Sequence, residues 1–160
     1  MGFIMVKTLI WACTYLIVFA FGFAAGIYAL PILTAPDGPS QLELATHAQK
    51  ALYSGEFRDD LPGSDSFHYG RGKVKLTNSK ISFAGTLSPG PDYQLYLANR
   101  FIDNETDFLA YKGTMTRVAS VKTFDGFIVT VPQGINIADF NTVIVWCESF
   151  NEFISAAQYQ

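Results

Sequence analysis

The chain has 160 residues, 49% of them hydrophobic, and a net charge of −3. Once an apolar N-terminal run is set aside, that length accommodates one small core and not two. The basic residues are scattered, so there is no basic stripe and no nucleic-acid partner is expected.

Thr8 to Leu30 carries no charge. A helix over this run, at about 1.5 Å per residue, is about 34 Å long and spans a hydrocarbon core of about 30 Å. Trp11 and Tyr28 lie near its ends, where aromatic rings favour the interface. The competing reading is a cleaved signal peptide, with a shorter apolar core followed by a small-residue site. Here Ala24-Ala25-Gly26 lies inside the run, which favours an uncleaved anchor over residues 1–30. Lys7 precedes the run, whereas Asp37 and Glu43 follow it. The positive-inside rule therefore places the N-terminus in the cytoplasm and the C-terminal part in the periplasm or outside the cell. The expected partner of Thr8–Leu30 is the lipid bilayer.

Pro31 is expected to end the anchor, and residues 31–51 read as a linker followed by a short helix. Ser40 and Glu43 match a capping box for a helix over about Gln41 to Lys50, a stalk or the first element of the domain. From Leu52 the pattern is β. Val74–Leu76 and Ile81–Phe83 alternate around Thr77–Lys80, as in a hairpin. Tyr93–Leu97 follows the turn Ser88-Pro-Gly-Pro-Asp92. Arg117–Val121 and Phe127–Val131 flank a second turn at Asp125-Gly126. Thr142–Cys147 is apolar on both faces, as a central strand buried on both sides would be. Phe150, Phe153 and Ile154 suggest a last strand. The predicted class is all-β: a small antiparallel sandwich or barrel-like domain over residues 52–160, preceded by one transmembrane helix and a short stalk helix.

The chain has two cysteines, and Cys13 lies in the apolar run. Cys147 is thus alone in the β domain and cannot form a disulfide within it. An unpaired cysteine in an exported domain points to a reactive thiol, a ligand or an intermolecular bond. Cysteine is also among the most buried residue types, which supports an inert core residue. Metal chemistry lacks donors: there are two histidines, His47 and His68, and neither His nor Met follows Cys147. No cofactor is expected; non-covalent haem held by His68 with Met115 or Cys147 is the alternative. No nucleophile elbow or nucleotide loop is present, and Tyr69-Gly-Arg-Gly72 runs into a strand rather than a helix. Asp59, Asp60 and Asp65 read as a solvated loop before a calcium site. Asn104-Glu-Thr106 is a formal glycosylation sequon.

Three stretches carry a resemblance. Phe67-His-Tyr-Gly-Arg-Gly72 is similar to the first strand of the DM13 domain family. Pro89-Gly-Pro-Asp-Tyr-Gln-Leu-Tyr-Leu97 resembles its second conserved segment. Asn141-Thr-Val-Ile-Val-Trp-Cys-Glu-Ser-Phe150 resembles its terminal segment. The resemblance covers about Tyr53 to Tyr159, and the anchor end Ile27–Pro36 looks like that of bacterial members. It implies a β-rich electron-transfer domain centred on its cysteine, of the kind that accompanies DOMON and cytochrome b-type modules, with a membrane redox protein as partner. Carried over by position, Cys147 is the redox candidate, Trp146 stands beside it, and His68 and Asp92 occupy motif positions. The sequence thus leaves two functions open: a redox module working through Cys147, or a binding or assembly module in which Cys147 is inert.

Overall fold

The apolar run folds as one helix, α1 (Gly2–Thr34), in the computed structural model, which describes residues 2–160. It is long and apolar enough to cross a membrane. Pro31 lies inside α1 and does not end it. Proline removes one N–H and leaves one carbonyl a turn back unpaired, which a last turn tolerates better than a helix centre. The stop comes at Thr34, whose hydroxyl donates to the Leu30 carbonyl at 2.8 Å. The next residue, Ala35, precedes Pro36 and is steered out of the helical region.

Helix α2 (Gln41–Gln49) has the expected capping box: the Ser40 amide donates to the Glu43 carboxylate at 2.8 Å, and the Glu43 amide donates to Ser40 Oγ at 3.3 Å. It covers one sheet through buried Leu44 and so belongs to the domain. The strands are β1 (Tyr53–Phe57), β2 (Gly70–Leu76), β3 (Lys80–Leu87), β4 (Tyr93–Ala98), β5 (Thr116–Val121), β6 (Gly126–Thr130), β7 (Thr142–Cys147) and β8 (Glu152–Gln158), with a short helix α3 (Glu105–Tyr111) between β4 and β5. They form two four-stranded antiparallel sheets, ordered β1-β2-β3-β6 and β5-β4-β7-β8. The architecture is a β-sandwich.

Alternation along each strand divides the side chains between two clusters. Between the sheets lie Val74, Leu76, Ile81 and Phe83 from one side and Leu95, Leu97, Val143, Val145 and Cys147 from the other. On the outer face of the second sheet, Tyr96, Ile144, Trp146 and Phe153 pack under α3 through Phe108. β7 is therefore buried on both faces. Phe108 lies on Trp146 with ring centroids 3.9 Å apart and planes 9° from parallel.

Three local readings are corrected. Asp125-Gly126 does not close a hairpin: β5 belongs to one sheet and β6 to the other. The chain crosses between layers there because Val121 and Phe127 fill the same core from opposite sheets. Gly126 permits the crossing with φ +147, a conformation that side chains resist. Secondly, β2 begins at Gly70, so Phe67 and His68 belong to the preceding loop and not to a strand. Phe150 lies in the β7–β8 turn, half exposed, outside the last strand.

Candidate functional site

β7 reaches the end of its sheet at Cys147 and turns back into β8 through Glu148–Asn151, where Asn151 adopts φ 53. Cys147 is 2% exposed and lines a cleft of about 390 Å³. The walls come from four places. Phe67 and His68 belong to the loop before β2, Pro89-Gly90-Pro91 to the turn before β4, and Phe150 to the β7–β8 turn; Ala24, Ile27 and Tyr28 belong to α1. Tyr93, Glu152 and Ile154 complete the lining. Cys147 and His68 thus share one cleft.

Burial pushes the Cys147 thiol above its ordinary value; the backbone N–H groups of Phe150, Asp92 and Ser149 oppose the shift, and the Asp92 carboxylate adds to it. Burial thus favours the protonated thiol. Its sequence neighbour Glu148 points to the other face of the sheet, as strand alternation requires. There its carboxylate accepts from Lys112 Nζ at 2.6 Å and from the Tyr96 hydroxyl. Burial alone would raise the Glu148 carboxyl, but Lys112 and Tyr96 outweigh it and hold it below the usual range.

His68 is held by Asp65. One carboxylate oxygen accepts from the amides of Phe67 and His68 at 2.6 and 2.7 Å, and the other lies 3.1 Å from His68 Nδ1. Partial burial raises the Asp65 carboxyl, yet these contacts outweigh it and keep it below its ordinary value. With Nδ1 turned to Asp65, Nε2 is the ring nitrogen left for other chemistry. Asp59 pairs with Arg71, and Asp60 with Arg58 at 2.6 Å, so the three loop carboxylates each have a separate partner.

Asp92 does not close its own turn through backbone amides, as short-range turn chemistry would suggest. Its carboxylate accepts from Gln94 Nε2 at 2.8 Å and from Ser149 Oγ at 3.2 Å, while its backbone carbonyl accepts from the Glu148 amide at 3.0 Å. Gln94 is braced in turn by Ser120 at 3.0 Å. Asp92 therefore ties the start of β4 to the turn behind Cys147. Gly90 has no positive φ; a Cβ there would collide with the Tyr93 ring. The glycine lets the turn lie on that buried aromatic.

Trp146 is adjacent to Cys147 in sequence but belongs to the outer cluster, on the opposite face of the sheet from the cleft. Its Nε1 is buried without a hydrogen-bond partner among the described residues. Met115 packs against that same outer cluster. His68 and Met115 are on opposite sides of the sheet, and this geometry gives no support to their holding one haem between them. No group of three or more His, Cys, Asp or Glu side chains is placed to hold a metal ion among the described residues.

The sequence offered no direct signal for Tyr28, Phe67 or Phe150 as cleft walls, because their meeting depends on how α1 lies against the loops. Gln94 and Ser149 were equally hidden: a glutamine in an apolar strand and a serine in a turn acquire meaning only through Asp92.

Residues 61–159 match the family model described as electron transfer DM13. Comparison with curated proteins and with solved structures finds no match. The matched span runs from the loop before β2 through β8 and contains His68, Asp92, Trp146 and Cys147, so the chain belongs to the DM13 electron-transfer family.

Proposed function

We propose that this chain is a membrane-tethered redox module, with α1 as an uncleaved anchor, the β-sandwich outside the cytoplasm, and Cys147 as the group that is oxidised and reduced. The observation that carries this reading is the shared cleft of Cys147 and His68 within a domain of an electron-transfer family. A protonated thiol loses its electron and its proton together, and the His68 imidazole, oriented by Asp65, is a base lining the same cleft. Asp92 acts through position, holding the turn behind the sulfur. The electron's other station is a membrane redox protein. Trp146 packs the far side of β7 and supports the strand.

One observation favours the rival reading, a binding module with an inert cysteine: the sulfur is almost fully covered and its pKa is raised. Purified full-length chain with Cys13→Ala distinguishes the two. Hydrogen peroxide converts a thiol to sulfenic acid with release of water, and added thiol returns it to the reduced state. Mass spectrometry is expected to find reversible oxidation at Cys147 in the folded protein, faster as pH rises toward the elevated thiol pKa. A Cys147 that resists both peroxide and alkylation until denaturant is added, in a protein with no absorbing chromophore and no stoichiometric metal, refutes the redox reading.

A further inference from the structure

We propose that the rim of the Cys147 cleft is a membrane-docking surface, so that the cleft opens at the lipid boundary and not into bulk water. The inference rests on the anchor reading proposed above and is independent of any chemistry at Cys147.

The domain meets α1 short of the helix end. Its loops do not sit beyond the helix end at Thr34; they reach back to Ala24, Ile27 and Tyr28. The distance from Thr34 back to Ala24 is about 15 Å along a helix rising about 1.5 Å per residue. Lys7 is the only charged residue in α1. The helix between Lys7 and Ile27 is about 30 Å long at the same rise, which is the thickness of the hydrocarbon core. A bilayer whose inner boundary lies at Lys7 therefore has its outer boundary level with Ile27. That is the level at which Phe67, Pro89, Pro91 and Phe150 line a cleft together with Ala24, Ile27 and Tyr28 of the helix.

The side chains at that level suit the position. Phe67 is 68% exposed and Phe150 is 50% exposed, and both belong to loop tips on the cleft rim. Exposed aromatic rings beside a helix end favour the headgroup boundary. The two prolines offer no backbone N–H that would need a partner in an apolar setting. Of the acidic and basic side chains among the described residues, only His68 and Glu152 line the cleft, and His68 already has Asp65 as its partner. Leu52 is also exposed, but it lies at the opposite end of the sandwich. Its amide pairs with Leu76, at the far end of β2 from the cleft loops.

Fluorescence quenching in phosphatidylcholine vesicles with brominated acyl chains tests the proposal on the full chain. In a Trp11→Phe background, buried Trp146 gives a constant signal, and Phe67→Trp, Phe150→Trp and Leu52→Trp are compared one at a time. The positions are exposed, and the two rim sites report independently. The expected result is loss of emission at positions 67 and 150, strongest with bromines near the headgroups, and none at position 52. A protein that floats with the vesicles while positions 67 and 150 are quenched no more than position 52 overturns the docking surface alone. A protein that fails to float overturns the anchor reading and the docking surface with it.

Discussion

Replacing Asp92 by alanine removes two side-chain hydrogen bonds, from Gln94 and from Ser149. Each contributes about 0.5–1.5 kcal/mol net, and leaving a buried donor without a partner adds to the loss. Gln94 is 4% exposed, so its amide nitrogen is such a donor. Together these give a destabilisation of about 2–3 kcal/mol for Asp92→Ala. Asp92→Asn retains an oxygen that accepts from Gln94 and offers an amide to Ser149 Oγ, so it costs about 1 kcal/mol or less. Urea unfolding of the full chain in detergent, followed by Trp146 fluorescence in a Trp11→Phe background, measures both variants. With a slope of about 1–2 kcal/mol per molar urea, Asp92→Ala lowers the midpoint by about 1–3 M. Because Asp92 braces the turn behind Cys147, the same variant also speeds alkylation of Cys147 in the folded state. An Asp92→Ala protein as stable as the parent refutes the bracing role. Asparagine as damaging as alanine shows that the charge matters and not the bonding geometry.

Three further outcomes follow from other parts of the molecule. Cys147→Ser costs about 1 kcal/mol, at the low end for a buried hydroxyl, because the amides facing the sulfur can serve its oxygen; a loss beyond about 3 kcal/mol in the same urea assay indicates a sealed apolar site. Phe108→Ala removes the ring stacked on Trp146 and costs about 3–5 kcal/mol, with a red shift of Trp146 emission as water reaches the indole; an unshifted spectrum contradicts the packing. Glu148 is ionised more readily in the folded state than in the unfolded chain, so its contribution is complete above its ordinary value of 4.5 and is lost as pH falls through its lower folded value. Urea midpoints of parent and Glu148→Gln, measured at a series of pH values, are therefore expected to converge as pH falls below 4.5, and a constant gap between them at all pH values contradicts that linkage.

Elements governed by local chemistry were legible in the sequence. The capping box set the start of α2, the Thr77–Lys80 turn joined β2 to β3, and unbroken hydrophobicity from Thr142 to Cys147 marked a strand buried on both faces. Placement of Cys147 and Trp146 on opposite faces also follows from alternation alone. What sequence did not reveal depends on tertiary placement. Asp125-Gly126 has hairpin chemistry, yet the two strands it joins pair with β4 and β3 and not with each other. Helix α3 has only two turns, too short for a periodic signal. Its N-cap is Asn104, whose side chain accepts from the Asp107 amide at 2.9 Å; the same residue reads as a glycosylation acceptor in sequence. Cys147, His68 and Asp92 were named as candidates from the family resemblance. The cleft that joins the first two was not, because one of its walls is a helix remote in sequence from all of them.

The position of β8 has a consequence for how the domain comes to be made. This strand supplies Phe153 and Ala156 to the outer cluster and Ile154 and Ala157 to the core between the sheets. Neither cluster can close before β8 is available, and β8 is the last strand of the domain to be synthesised. At roughly 5–20 residues per second, the interval between the appearance of β1 and that of β8 is on the order of 5–20 s. Throughout it, strands β1 to β7 present unpaired edges and uncovered apolar faces, the state in which β-rich chains associate with one another. Until β8 is in place, neither apolar cluster is covered. A stop codon at Glu152 is therefore expected to yield an aggregating chain that sediments, not a weakened soluble domain.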